Sequence, residues 1–280
     1  MKTAIELNDV CLEFGSGFTL DHLSFRVEEG EIFGFLGPSG AGKTTTIKLL
    51  TRQLTPKSGK IGILGRDISR VGRDEYERIG ILSDTSGLYE RMSIEDNLNF
   101  FAAIRNVARA EVKDTLRRVR LYEERKTVIK KCSKGMRQRA VLASCILHRP
   151  SLLFLDEPTA GLDPATILEI HNMLLEMNRQ GTTIFLTTHN MEEADRLCGE
   201  IGILDRGKLV ASGSPEELKL RYARDEIRVL TTEGQVMGFS KKPQSAREIG
   251  DLIAAGRCLT IHSQEPNLEE IFLQLTGREF

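Results

Sequence analysis

Apolar residues in this chain change their spacing several times, and each change marks a change of element. In "IELNDVCLEF" and "FTLDHLSFRV" apolar and polar residues alternate, with "GSG" between the two stretches. Alternation is what a half-buried strand requires, so the pair predicts an antiparallel hairpin. "EIFGFLG" is instead a continuous apolar run, as in a strand covered on both faces. It ends in a Gly-rich loop, after which "KTTTIKLLTRQL" has helical spacing. "KIGIL" and "RIGIL" predict two more short strands.

From about Met92 to His148 helical spacing takes over, in "SIEDNLNFFAAIRNVA", "EVKDTLRRVRLY" and "KGMRQRAVLASCILH". This predicts a helical insertion between two strand-rich parts. "SLLFLDEP" restores a buried strand, "PATILEIHNMLLEMNRQG" predicts a helix closed by Gly181, and "TTIFLTTH" predicts another buried strand. "EIGILDRGKLVASG" predicts a hairpin turning at "DRG". Buried strands alternating with helices predict a mostly parallel sheet covered on both faces.

After about Arg221 the apolar density falls. "TTEGQVMGFSKKPQS" fits neither element cleanly, while "AREIGDLIAAG", "RCLTIHS" and "NLEEIFLQLTG" predict helix, strand and helix. The result is a small α+β appendage over about 222–280. In its last helix Asn267 stands as N-cap with Glu270 three residues on, a capping-box spacing. Leu268, Ile271, Phe272 and Leu275 form an apolar stripe there. The chain shows no internal repeat or low-complexity tract.

Composition narrows the class of protein. A chain of 280 residues is enough for one large domain or for a domain plus a smaller appendage. Its 39 Lys and Arg against 40 Asp and Glu build no field for bulk attraction to nucleic acid or a membrane surface, which argues against a nucleic-acid partner. The five cysteines are scattered, without a CxxC pair, and read as reduced thiols acting mostly as buried small apolar residues. "MKTAIELNDV" lacks the apolar core of a signal peptide. No apolar run approaches the ~18–20 residues of a membrane span. A soluble, unsecreted chain is expected.

The chemistry concentrates in a few loops. "GPSGAGKT", residues 37–44, fits G-x-x-x-x-G-K-[ST] between a buried strand and a helix, the context this motif needs. Gly37, Pro38, Ser39, Gly40, Ala41 and Gly42 form a loop whose N–H groups can wrap a polyphosphate. Lys43 would reach the β- and γ-phosphates, Thr44 would ligate Mg²⁺, and Thr45 would donate to the α-phosphate. Asp156 closes the apolar run of "LLFLDEPTAGLD", where a carboxylate can hold the Mg²⁺ shell. Glu157, next along, can polarise an attacking water, or is a solvated loop acid. His189 ends a further buried strand, at the sheet edge where such folds place ligands. "KCSKGMRQRA" looks like a second anion site, a helix start with Ser133 as N-cap, Gly135 bare and basic residues following.

In this order and spacing, "GPSGAGKT", "SKGMRQR", "LLFLDEP", "AGLD" and His189 resemble the nucleotide-binding subunit of ATP-binding cassette (ABC) transporters, over residues 3–220 or so. "GLYERMSIEDNLNFF" and "PNLEEIFLQLTGRE" look like a narrower branch that energises exporters of drugs, peptide antibiotics and similar amphiphiles. The resemblance implies an α/β fold: a P-loop NTPase sheet with an N-terminal antiparallel β part, a helical insertion over about 88–150 and the small C-terminal appendage. An ATPase domain would span 1–221 and an accessory domain 222–280. It implies ATP and Mg²⁺ as cofactors, with Glu157, His189 and Lys43 catalytic.

Two such chains, a homodimer in the simplest case, would pack head to tail. Ser133 and Gly135 would then contact the γ-phosphate held by the partner's Lys43, with Asp163 of "AGLD" also at the nucleotide. Separate permease subunits would carry the membrane path, contacted through Leu88 to Phe101, and the chain would lie on the cytoplasmic face of the membrane. The alternative from another class is a non-transport ABC ATPase, clamping a ribosome, DNA or a protein.

This sequence departs from the family pattern in places. Lys134 and Met136 replace the usual glycine and glutamine of the signature, and Lys134 would either add charge near the partner's phosphate or face solvent. Phe14 stands where an adenine-stacking tyrosine is usual, with Phe18 the less favoured claimant. By position Asp84, in "IGILSDTSG", replaces a glutamine beside Mg²⁺. It is expected to ligate the metal, against the plainer reading of a turn residue bonding its own backbone.

Overall fold

The computed structural model describes residues 2–15, 19–83, 87–223, 225–263 and 265–277. The N-terminal hairpin forms as expected from β1 (Thr3–Glu13) and β2 (Thr19–Glu28). The buried strand β3 (Ile32–Leu36) leads through the Gly-rich loop into α1 (Lys43–Leu50). Then follow β4 (Ser58–Ile63), β5 (Arg66–Asp67), the single turn α2 (Arg73–Tyr76) and β6 (Ile79–Leu82). The helical insertion consists of α3 (Ile94–Ile104), α4 (Arg109–Arg118) and α5 (Lys134–Ile146). The second strand-rich part runs β7 (Leu152–Asp156), α6 (Pro164–Arg179), β8 (Thr183–Thr188), α7 (Met191–Leu197), β9 (Glu200–Asp205) and β10 (Lys208–Gly213). Last come α8 (Pro215–Arg221), β11 (Ile227–Thr231), β12 (Val236–Phe239), α9 (Pro243–Ala254), β13 (Cys258–Ser263) and α10 (Leu268–Thr276).

The chain divides into two compact units, Met1–Ser214 and Pro215–Phe280. The first holds two sheets. One is antiparallel, in the order β2-β1-β4-β5; the other runs β10-β9-β3-β8-β7-β6, parallel except for β10. "KIGIL" and "RIGIL" therefore part company. The first pairs with β1, setting Ile5 opposite Ile63, and the second lies at the edge of the parallel sheet beside β7.

Every residue of β3, β7 and β8 is buried, which is why these strands read as unbroken apolar runs. The two sheets are joined through phenylalanines. Phe185 of β8 lies 5.8 Å from Phe33, 5.6 Å from Phe35, 5.9 Å from Phe154 and 6.0 Å from Phe25, which comes from the antiparallel sheet. Such offset and edge contacts add to the large area each ring buries.

Helix boundaries follow side-chain chemistry. Ser93 caps α3 by accepting from the Asp96 N–H at 3.1 Å, and Gly181, at φ +98°, closes the end of α6 with its N–H on the Asn178 carbonyl. The described cysteines are free thiols; Cys145 and Cys198 are buried and the other three half-buried. Burial pushes the Cys145 thiol up to about 12 and that of Cys198 well above its ordinary value.

In the second unit β11 pairs with β12 on one side and β13 on the other. The β11–β12 hairpin corrects the sequence expectation, which had no strand in "TTEGQVMGFSKKPQS". Only Val229 and Thr231 of β11 and Phe239 of β12 are buried, so little apolar alternation marks them. The unit begins at α8, ahead of the composition change near Arg221, because α8 packs on α10 with Leu218 buried. The capping box is present: the Glu270 N–H donates to Asn267 Oδ1 at 2.8 Å, and the Asn267 N–H to Glu270 Oε2 at 3.1 Å. Leu268, Ile271 and Phe272 are buried as the stripe predicts, and Leu275 is half-buried.

Phe185→Ala removes the ring that all four neighbours share. It is expected to cost about 3–5 kcal/mol of stability, read as a lower urea midpoint with the slope unchanged.

Candidate active site

Three strand ends meet at one edge of the parallel sheet. Leu36 of β3 stands level with Thr188 of β8, and Asp156 of β7 with Thr187. The phosphate loop, the Asp156–Glu157 pair and His189 therefore leave the sheet side by side. A cavity of about 390 Å³ opens there, lined by Pro38, Ser39, Gly40, Gly42, Lys43, Thr44, Thr45 and Glu157.

Gly42 (φ +116°) is the N-cap of α1 and offers no side chain, so the first N–H groups of the helix are left for a ligand. Gly37 answers a different need. A Cβ there would overlap the Leu204 carbonyl of β9, so the loop can leave the sheet only over a bare Cα. Ala41 of the loop is buried and does not line the cavity.

Lys43 is only 7% exposed. Its ammonium donates to the Gly37 carbonyl at 2.5 Å and the Pro38 carbonyl at 3.3 Å, and lies 3.2 Å from Glu157 Oε1. The other Glu157 oxygen is 2.7 Å from His189 Nδ1. The three residues assigned to catalysis thus form one chain of contacts. Glu157 holds φ +49°, a left-handed conformation that non-glycine residues keep only when their surroundings enforce it. Its N–H donates to the Thr187 carbonyl at 3.1 Å, which provides part of that enforcement.

Asp156 is buried with both oxygens engaged, accepting from Thr44 Oγ1 at 2.8 Å and Thr187 Oγ1 at 2.5 Å. Thr44 and Asp156 present hydroxyl and carboxylate oxygen only, the donor set Mg²⁺ prefers. Thr187 had no part in the sequence expectations. A hydroxyl in a wholly buried strand needs a partner, and that requirement is the signal that could have singled it out. Gln138 of α5 was also missed; its Nε2 donates to the Pro158 carbonyl at 2.8 Å, directly after Glu157.

The second helix start singled out in the sequence lies elsewhere. Ser133 caps α5 by accepting from the Met136 N–H at 3.1 Å, as the sequence predicts. Neither Ser133 nor Gly135 lines the phosphate cavity. Gly135 is buried, and the Thr166 side chain of α6 stands where a Cβ would come, so a side chain there would collide within the same chain. Lys134 reaches across to "AGLD": its ammonium end lies against Gly161, although the residue as a whole is exposed. Asp163 is the N-cap of α6, and the Thr166 hydroxyl and N–H hold its carboxyl below the usual range. Phe14 is exposed just beyond β1. Asp84 and Phe18 lie outside the described residues.

A parallel sheet with a lysine-bearing phosphate loop, a buried aspartate at the adjacent strand end and a glutamate after it defines a P-loop NTPase. The comparisons narrow this further. Residues 20–160 match the model of the ABC transporter family. A fluoroquinolones export ATP-binding protein of Mycobacterium tuberculosis is 38% identical over 92% of this chain and 87% of its own length. The linearmycin resistance ATP-binding protein of Bacillus subtilis is 31% identical over 98% of both. Among solved structures, an ATP-binding subunit of an ABC transporter superposes with a TM-score of 0.70 at 28% identity, covering 79% of this chain and 93% of that one. The chain belongs to the ABC transporter family and is an ATP-binding, ATP-hydrolysing member of it.

Gly37→Ala tests the close approach to β9. Moving the loop off the Leu204 carbonyl is expected to weaken ATP binding by about tenfold or more, roughly 1.4 kcal/mol, with the far-UV spectrum unchanged. Equilibrium titration with ATP checks it.

Proposed function

We propose that this chain is the ATPase subunit of an exporter for drugs, antibiotics or similar amphiphiles, acting as a dimer on the cytoplasmic face of the membrane with separate permease subunits. The Glu157 carboxylate, held between Lys43 and His189, carries the catalytic half of the reading. The export half rests on the relatives named for fluoroquinolone export and linearmycin resistance, and on one named for daunorubicin resistance. These names favour transport over a clamp on a ribosome or DNA.

ATP entering the loop brings its γ-phosphate to Lys43, which exchanges Glu157 for the phosphate. Glu157 is then free to accept a proton from the attacking water, while its bond to His189 fixes its direction. Mg²⁺ bound by Thr44 and Asp156 would neutralise charge on the β- and γ-phosphates. Asp84 is proposed as a further oxygen ligand beside it, and Phe14 as the ring under the adenine.

Ser133 and Gly135 are proposed to act on the nucleotide of a second copy, supported by their absence from the cavity of their own chain. The face offered to the permease is proposed around Tyr89 and Phe100, both exposed with their rings 5.0 Å apart edge to face. Among the described residues no helix is long and apolar enough to cross a membrane.

Glu157→Gln is expected to bind ATP at least as tightly as the wild type, since it no longer competes as an anion for Lys43. Turnover should fall about 10²–10⁴-fold. Steady-state ATPase and nucleotide titration measure the two. In cells lacking the chain, the wild type but not Glu157→Gln should restore efflux of a fluoroquinolone or daunorubicin. Unchanged accumulation of both probes would remove the export half.

The composite site has its own test. Ser133→Arg alone should abolish ATP-driven dimerisation, seen by size-exclusion chromatography with multi-angle scattering. Undisturbed dimerisation would sink it.

A further inference from the structure

We propose that Glu193 is a positioning residue that locks the loop after Glu157 to the helix after His189, so that the hydrolytic pair is held as one body. The inference rests on the assignment of Glu157 and His189 as that pair. α7 begins immediately after His189: Asn190 is its N-cap and accepts from the Glu193 N–H at 3.1 Å. The Glu193 side chain turns inward and is 1% exposed. Its Oε1 accepts from Thr159 Oγ1 at 2.7 Å and lies 3.0 Å from His171 Nε2 on α6. Thr159 is separated from Glu157 by Pro158 alone, and both Thr159 and His171 are buried. One carboxylate oxygen thus ties together the Glu157 loop, the His189 helix and α6. From the other side Gln138 holds the Pro158 carbonyl.

Stability alone does not account for a carboxylate at this place. Glu193 Oε2 is buried and has no hydrogen-bond partner among the described residues. A buried charge carries a desolvation cost that a well-packed apolar residue avoids. What the carboxylate supplies is geometry. Glu157 keeps its left-handed backbone because the chain is fixed on both sides of it, by β8 through the Thr187 carbonyl and by Glu193 through Thr159. Released at Thr159, the loop can relax Glu157 and draw its carboxylate away from His189. An apolar brace would leave the Thr159 hydroxyl without an acceptor.

The test measures kcat, KM for ATP, ATP affinity and melting temperature for the full chain and its Thr159→Val, Glu193→Gln and Glu193→Ala variants. Thr159→Val keeps the shape and removes only the donor. It is expected to lower kcat by about tenfold or more, because small misplacements of reacting groups are costly, with KM and ATP affinity within about twofold. Glu193→Gln retains an oxygen for both donors and should keep kcat within about threefold of wild type. Glu193→Ala combined with Thr159→Val should lose no more than the worse single variant, the mark of a shared network.

Should Glu193→Ala fail to fold, Thr159→Val and Glu193→Gln still decide. Wild-type kcat in Thr159→Val overturns the inference, as does a loss matched by an equal loss of ATP affinity. Glu157→Gln separates the two assignments. If it turns over ATP near the wild-type rate, the hydrolytic pair falls and Glu193 with it. If it is inactive while Thr159→Val is unaffected, only the positioning role falls.

Discussion

The register of β8 is the constraint from which the site follows. β8 lies between β3 and β7, with Leu36 level with Thr188 and Asp156 level with Thr187. The strand after which His189 follows is therefore the strand whose Thr187 orients Asp156 and holds the Glu157 N–H. A slip of one residue would turn every side chain of β8 to the opposite face, taking Phe185 out of the aromatic cluster and Thr187 away from Asp156. Packing and chemistry are specified by one set of hydrogen bonds. The wholly buried faces of all three strands make that register costly to change.

Around that edge the charged side chains are held by one another and by the loop backbone. Lys43 is nearly buried, a costly place for an ammonium without partners. Two loop carbonyls and Glu157 supply them. Asp156 is likewise fixed through both oxygens, by Thr44 and Thr187. The left-handed backbone sits at Glu157, between these two groups.

The α5 helix start has a double attachment. Ser133, Gly135 and Lys134 each have an occupation within their own chain: a cap, a close contact with Thr166 and a reach to Gly161. These contacts tie "SKGM" to α6 and to the loop that begins at Glu157. Gln138 adds a further tie at Pro158. Through these contacts α5 is packed against the loop that carries Glu157.

Much was legible in the residues themselves. Alternation marked β1 and β2, unbroken apolar runs marked β3, β7 and β8, and local hydrogen-bonding chemistry placed the caps at Ser133 and Asn267, because these signals depend on neighbours in the chain. The phosphate loop was legible for the same reason, its spacing being set by one stretch of backbone. The β11–β12 hairpin was not, since its burial is too thin to imprint a pattern. Nor was the reason for Gly37, which is the carbonyl of Leu204 on another strand. Thr187 on Asp156, Gln138 on Pro158 and Glu193 on Thr159 join residues between 20 and 34 positions apart. A donor in sequence does not name its acceptor. Only the folded sheet and the helices packed on it bring the two within hydrogen-bonding distance.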